Sequence, residues 1–270
     1  MIISVVNNKG GVLKTTIATN LGATLSILKK KVLIVDLDGQ GNVCATFGKN
    51  PDSLEHSIID ILKSKNENLN KITFDDVMIP QREPYLHILP SNDEMNAFDF
   101  YISNGTFKPS DIQKIIRDNE KEYDYIIMDT PPNMSTIVLN AISISDLVLI
   151  PFEPDQYAIL GLKRVARLCI AKSQQIKKKI KIIAIPTKVN KKTNIHREII
   201  EVGIKPFLKS HGIYLANNHI SQSTKSTSSV GYERVPIVLS IIKSKFQDEY
   251  FMLRDEILQE VNKEVTLNGK

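Results

Sequence analysis

Eight consecutive residues, Lys9-Gly10-Gly11-Val12-Leu13-Lys14-Thr15-Thr16, follow directly on the apolar run Ile2-Ile3-Ser4-Val5-Val6. A glycine loop between a buried strand and a helix turns backbone N–H groups inward, and the helix adds the positive end of its dipole. Such a segment is built to cradle a polyphosphate. Lys14 and Thr15 stand where a phosphate-binding loop places its phosphate lysine and its Mg²⁺ hydroxyl, with Thr16 near an α-phosphate. A cation at a helix N-terminus opposes the dipole unless an anion sits there, so Lys14 is poorly explained as an ordinary surface lysine. Two further segments end in carboxylates. One is Val32-Leu33-Ile34-Val35-Asp36-Leu37-Asp38, running into the polar loop Gly39-Gln40-Gly41-Asn42. The other is Tyr125-Ile126-Ile127-Met128-Asp129, followed by Thr130-Pro131-Pro132, and its acid falls where magnesium's water shell needs one. The expected ligand is a nucleoside triphosphate with Mg²⁺.

The strict loop pattern Gly-x-x-x-x-Gly-Lys-Ser/Thr is not met, because Leu13 stands where the glycine before the lysine belongs. A side chain there must point away from the phosphates or crowd them, and it adopts φ > 0 only at a cost. Its N–H remains a donor. Binding is expected to survive and turnover to be slowed at most.

These motifs need elements to hold them. Apolar strand candidates at 2–6, 32–36, 85–89, 125–129, 147–151 and 180–185 alternate with helical patterns near 15–29, 109–119, 134–143, 156–175 and 194–209. The alternation predicts an α/β fold with a mainly parallel sheet covered on both faces, and ligands bind beyond the carboxyl ends of such strands. All three motifs lie there. Residues 50–84 are polar and uneven, with a helix expected near 53–63, and read as an excursion within one domain spanning 1–270.

With 270 residues, 42% of them apolar, the chain can bury a sizeable core. No run approaches the roughly 18 to 20 apolar residues of a membrane span, and no signal-peptide layout precedes Ile2, so a cytoplasmic protein is expected. Cys44 and Cys169 are far apart with no Cys or His at ligand spacing, so they read as ordinary reduced thiols, not as a zinc or cluster site. Residues 1–135 carry 14 Lys+Arg and 18 Asp+Glu while 136–270 carry 21 and 12, so a half near −4 precedes a half near +9. Gathered on one face, the excess would attract a polyanion without reading sequence. Scattered, it is a solvated lysine-rich surface, and charge alone leaves both readings open.

The ordered set of motifs resembles the ParA/Soj partition ATPases of the deviant Walker A group that includes MinD. Leu139-Asn140-Ala141, Leu147 to Pro151, Tyr157 to Leu162 and Thr187 to Glu198 extend the likeness over nearly the whole chain. The resemblance implies a P-loop NTPase three-layer sandwich and a slow ATPase. It implies that Lys9 reaches across a two-fold interface to the partner's phosphates, making ATP the glue of a homodimer. Asp38 would position the attacking water, Asp36 would serve Mg²⁺ indirectly or the structure, and Asp129 would act through a magnesium-bound water. Thr130-Pro131-Pro132 would begin a nucleotide-sensing switch. Backbone groups of Gly10 to Leu13 would line the phosphates, and Lys188 and Asn190 would lie near adenine.

Relatives commonly carry proline where Gly39 stands, which loosens this loop. The family implies nonspecific duplex DNA as a partner, met by Lys163, Arg164, Arg167, Lys191, Lys192 and Arg197, with Lys225 and Arg234 as further candidates. It also implies a ParB-like centromere-binding protein that stimulates hydrolysis, nucleoid association, and no N-terminal helix-turn-helix extension. Two other readings stand beside this one: a MinD-like membrane ATPase, and a nucleotide-switched scaffold with negligible turnover. Against the first, the C-terminal stripe Ile242, Phe246, Tyr250, Leu253, Ile257 and Val261 is backed by Asp248, Glu249, Asp255, Glu256 and Glu260, an acidic face that anionic lipid would repel.

Overall fold

The computed structural model describes residues 1–66, 71–155, 157–189, 194–223 and 228–268. Its sheet is made of β1 (Ile2–Val5), β2 (Val32–Asp36), β3 (Ile79–Pro80), β4 (Leu86–Leu89), β5 (Tyr125–Asp129), β6 (Leu147–Phe152), β7 (Lys181–Val189), β8 (Tyr214–Leu215) and β9 (Ile220–Ser221). The spatial order is β3-β4-β2-β5-β1-β6-β7-β8, with β9 pairing the end of β7, and only β3 runs antiparallel to its neighbour. β1, β2 and β6 are buried on both faces along their whole length, and this is why they read as unbroken apolar runs and not as alternating ones.

Helices α1 (Lys14–Ile27), α2 (Asn42–Thr46), α3 (Ile58–Asn66), α4 (Phe74–Val77), α5 (Phe98–Ser103), α6 (Asp111–Asn119), α7 (Thr136–Ile144) and α8 (Ala158–Gln175) cover the sheet together with a C-terminal helix, Lys245–Asn268. On one face, Ile17 and Leu21 of α1 and Tyr250, Leu253 and Ile257 of the C-terminal helix pack on Ile3, Val5, Ile34 and Leu149. On the other, α3, α6 and α7 cover Leu33, Val35 and Ile126, and α7 and α8 cover Val148, Ile150 and Ile182. The result is the three-layer α/β sandwich expected.

Each strand read from the sequence is present, as is each long helix, although the last of these is a short helix (Asn194–Glu198), a π turn (Ile199–Ile204) and a second short helix (Lys205–Ser210). Residues 50–84 are less of an excursion than expected. Their helix, α3, starts at Ile58 and not near Ser53, and it sinks Ile58, Ile59, Ile61 and Leu62 into the core. Their last residues return as β3, closing one edge of the sheet. Cys44 and Cys169 are buried free thiols, each pushed up to about 12 by burial, as suits inert core residues.

β1 leads through α1 to β2 on one side, while β6 leads through α8 to β7 on the other. The chain thus parts at β1, and the crevice beyond its carboxyl end is where open parallel sheets bind ligands.

Candidate functional site

The loop leaving β1 is braced from below. Asn7 Nδ2 donates to Pro151 O at 2.6 Å, and Asn7 Oδ1 accepts from Lys9 N at 2.9 Å. Val12 O accepts from the Thr187 hydroxyl at 3.3 Å, which ties the loop to β7. Gly11 takes φ 73°, and Lys188 Nζ lies close over it. Lys14 is 8% exposed and donates from Nζ to Lys9 O at 3.2 Å, so its ammonium is tucked under the loop. Burial lowers its pKa, while Asp129 and Asp38 pull the other way.

Leu13 adopts φ 67°, ψ 30° and gives α1 its first turn, its carbonyl accepting from Ile17 N at 2.9 Å. The left-handed region costs a non-glycine residue about 1–2 kcal/mol. The side chain is half-buried and packs against the core on the α1 face, an offset of similar size.

Thr15 Oγ1 donates to Asp129 Oδ2 at 2.5 Å. Asp129 is fully buried, and its other oxygen, Oδ1, has no hydrogen-bond partner among the described residues. An orphaned carboxylate oxygen beside a hydroxyl and a desolvated ammonium is the donor set that a hydrated divalent cation and a polyphosphate require, so the residues fit Mg²⁺ with a nucleotide. Thr130 Oγ1 donates to Val5 O at 2.7 Å, anchoring the turn before Pro131 and Pro132 to β1.

Asp36 and Asp38 divide their work. Asp36 Oδ1 accepts from Asp38 N at 3.0 Å and Oδ2 from Val43 N at 3.1 Å, so this carboxyl folds the loop and holds the start of α2. Burial, with Asp129 next to it, raises its pKa well above the ordinary value. Both Asp36 oxygens are thus engaged by backbone N–H groups of the loop and α2. Asp38, 9% exposed, keeps one oxygen for Gln40 N at 3.1 Å and faces Lys14 and Asp129 closely enough to influence both. A Cβ at Gly39 would meet the amide of the exposed Asn96 side chain at 2.6 Å, so a larger residue there needs Asn96 to turn aside.

Lys9 forms an ion pair with Asp155 of the same chain, just past β6. Lys188 sits 3.6 Å from Glu153. Asn190, Lys191, Lys192 and Lys225 lie outside the described residues.

A family model described as an AAA domain matches residues 1–182. A ParA family protein of Mycoplasma genitalium is 45% identical over 269 residues, which are 97% of this chain and 98% of that one. This chain belongs to the ParA family. The chromosome partitioning protein ParA of Myxococcus xanthus is 28% identical over 259 residues, covering 96% of this chain and 88% of the relative. Among solved structures, cobyrinic acid a,c-diamide synthase from Mycobacterium smegmatis, with bound ATP analog and magnesium, superposes with a TM-score of 0.77 at 23% identity over 96% of this chain and 94% of its own. That likeness is one of fold.

Among the described residues of this ParA-family chain the basic candidates do not form one cluster. Lys163 and Arg167 of α8 both lie over the Phe207 ring, at 5.4 and 5.7 Å, and Arg164 is exposed beside Lys9. Arg197 is exposed on its own short helix. Arg234 stands apart from the α8 set: it packs along Gly48 and shares a cavity with Lys49 and Arg82, next to residues that cover the opposite face of the sheet. Sequence reasoning passed over Asn7, Asn96, Glu153 and Asp155. The two acids had a usable signal, since both follow directly on a strand whose end borders the site.

The Asp129 carboxyl is pushed up to about 7, first by burial and further by Asp38, against the Thr15 hydroxyl and Lys14. Unfolded, it titrates near the ordinary aspartate value of 3.8, so between these two values the folded state holds the extra proton. Ligand-free stability from this group is therefore lost as pH rises from about 4 through about 7. Asp129→Asn is expected to stabilise the ligand-free protein at pH 8 and to lose that advantage below the unfolded value. Urea midpoints at both ends measure it, and an equal effect at both would mean that Asp129 ionises normally.

Proposed function

We propose that this ParA-family chain is a DNA partition ATPase. It converts ATP and water to ADP and phosphate, binds duplex DNA without sequence preference as an ATP-held homodimer, and turns over slowly until a ParB-like centromere-binding partner stimulates it. The observation that carries the reading is the junction of Thr15, Asp129 and Lys14: a hydroxyl on a buried acid with one oxygen left over, beside a buried ammonium.

In this reading the loop N–H groups from Gly10 to Leu13, with Lys14, hold the phosphates. Thr15 and Asp129 would hold Mg²⁺, and Thr16 would lie by the α-phosphate. Mg²⁺ supplies neutralisation of phosphate charge. Asp38 orients the attacking water, its carboxylate already fixed by Gln40 N. Lys9 leaves Asp155 to meet the partner protomer's phosphates. Tyr157 and Leu160, 78% and 71% exposed beside it, supply apolar area for that contact. Duplex DNA meets the α8 cations and Arg197 by charge alone, in the cytoplasm on the nucleoid.

The membrane reading is weaker because the acids of the C-terminal helix are already engaged. Glu249 accepts from Ser221 N and Oγ at 2.8 and 2.7 Å, and Glu256 from Asn217 N and Asn218 N at 2.7 and 2.9 Å. Tyr250, Leu253 and Ile257 are buried on the sheet, while Ile242 precedes the helix and is exposed. Among the described residues no helix is long and apolar enough to cross a membrane.

Sedimentation with ATP, ADP or neither, with and without arbitrary duplex DNA, tests the proposal. Wild type is expected to dimerise only with ATP, Asp38→Ala to accumulate as the dimer on DNA, and Lys9→Ala to stay monomeric. Monomers under every condition would overturn it. Phosphate release with DNA and partner present separates an ATPase from a switched scaffold.

A further inference from the structure

Leu13 presents a puzzle that the nucleotide reading alone leaves open. It occupies a left-handed conformation that glycine would take without strain, and it makes no side-chain capping bond to α1. Strain kept at a ligand loop calls for a compensating role. The side chain provides one. It forms part of the wall of a cavity of about 260 Å³, with Ile220, Ile237, Phe246 and Tyr250 as apolar neighbours and Ser221 among the polar groups at the rim. Lys188 belongs to the same cavity and also lies over Gly11, so the cavity opens beside the phosphate loop.

A ligand anchored by its phosphates and extending into this space would present a flat, apolar-faced group with hydrogen-bonding edges. A nucleobase has those properties, and apolar walls with a few polar groups are what such sites offer. We infer that Leu13 is a specificity-determining residue: its backbone belongs to the phosphate loop while its side chain forms an apolar plate against the base of the bound nucleoside triphosphate. The inference rests on the reading of this loop as a triphosphate site. It gives the departure from glycine a positive function, because one residue then senses both ends of the nucleotide. It also runs against the simple expectation that restoring glycine improves the loop.

The test compares Mg²⁺-ATP with Mg²⁺-tripolyphosphate, which has the phosphates and no base, by calorimetry on the full chain. In Leu13→Gly the loop reaches its left-handed conformation freely and the plate is gone. ATP affinity is expected to fall about 10-fold or more, the loss typical of a missing apolar contact, while tripolyphosphate affinity stays within about 2-fold. Leu13→Met, which keeps an apolar side chain, should retain most of the ATP affinity, and thermal melts confirm that each variant is folded. Equal losses for both ligands, or unchanged ATP affinity in Leu13→Gly, would overturn the role of Leu13 while leaving the triphosphate site standing. Failure of the wild type to bind either ligand would instead remove the site itself, and the inference with it.

Discussion

Lys14→Met is expected to weaken Mg²⁺-ATP binding by about 100- to 1000-fold, or about 3–4 kcal/mol. The size follows from preorganisation. The ammonium is already stripped of most of its water, and it is tethered to Lys9 O in the absence of ligand. Much of the desolvation that a phosphate contact demands has thus been met in folding, and the bound anion recovers it. Stability should not fall in parallel. Lys14 is a buried cation at the start of α1 whose pKa burial lowers, so its removal relieves a cost. Calorimetry with ATP and a thermal melt on the same sample separate the two effects. Affinity within threefold of wild type would mean that the loop does not hold phosphate.

Asp36→Ala should act in the opposite way, on the fold first. Its two oxygens accept the N–H groups of Asp38 and Val43, both buried. Leaving two such donors unpaired costs roughly 2–6 kcal/mol, which for a chain of this size lowers Tm by roughly 5–20 °C. Asp36→Asn keeps an acceptor for one donor and sets an NH₂ against the other, so an intermediate loss is expected. Because the same bonds position Asp38, phosphate release should drop in the folded variant as well. A melting point unchanged within about 2 °C would show that the loop holds itself.

The legible part of this protein was the part written locally. The glycines and lysine of the loop, the apolar strands and their terminal acids are each set by a few adjacent residues, and they fell where their spacing put them. Leu13 was readable as a departure from glycine, but where its side chain would go depended on Ile220, Ile237 and Phe246, more than 200 residues away. β3, β8 and β9 are two residues long each and carry no periodicity; pairing with β4 and β7 creates them. Asp36 and Asp38 were told apart in sequence only by the family resemblance, and the hydrogen bonds that turn the chain after β2 supply the physical reason: Asp36 holds the loop while Asp38 faces Lys14. The pairing of Lys9 with Asp155, 146 positions later, is a product of the sheet order that sets β1 beside β6. The spread of the basic residues was opaque for the same reason: a count of lysines by half-chain says nothing about which face each occupies.

The way Glu249 and Glu256 satisfy the backbone of Asn217, Asn218 and Ser221 imposes an order on biosynthesis. A nascent chain has its phosphate loop and both strand-end acids long before the helix carrying those glutamates leaves the ribosome. Until then Ser221 of β9 lacks the carboxylate of Glu249, and the wall containing Ile220 lacks Phe246 and Tyr250. On the proposed reading, a chain cut short before Lys245 would carry a phosphate cradle whose adjoining chamber lacks the wall made by Phe246 and Tyr250.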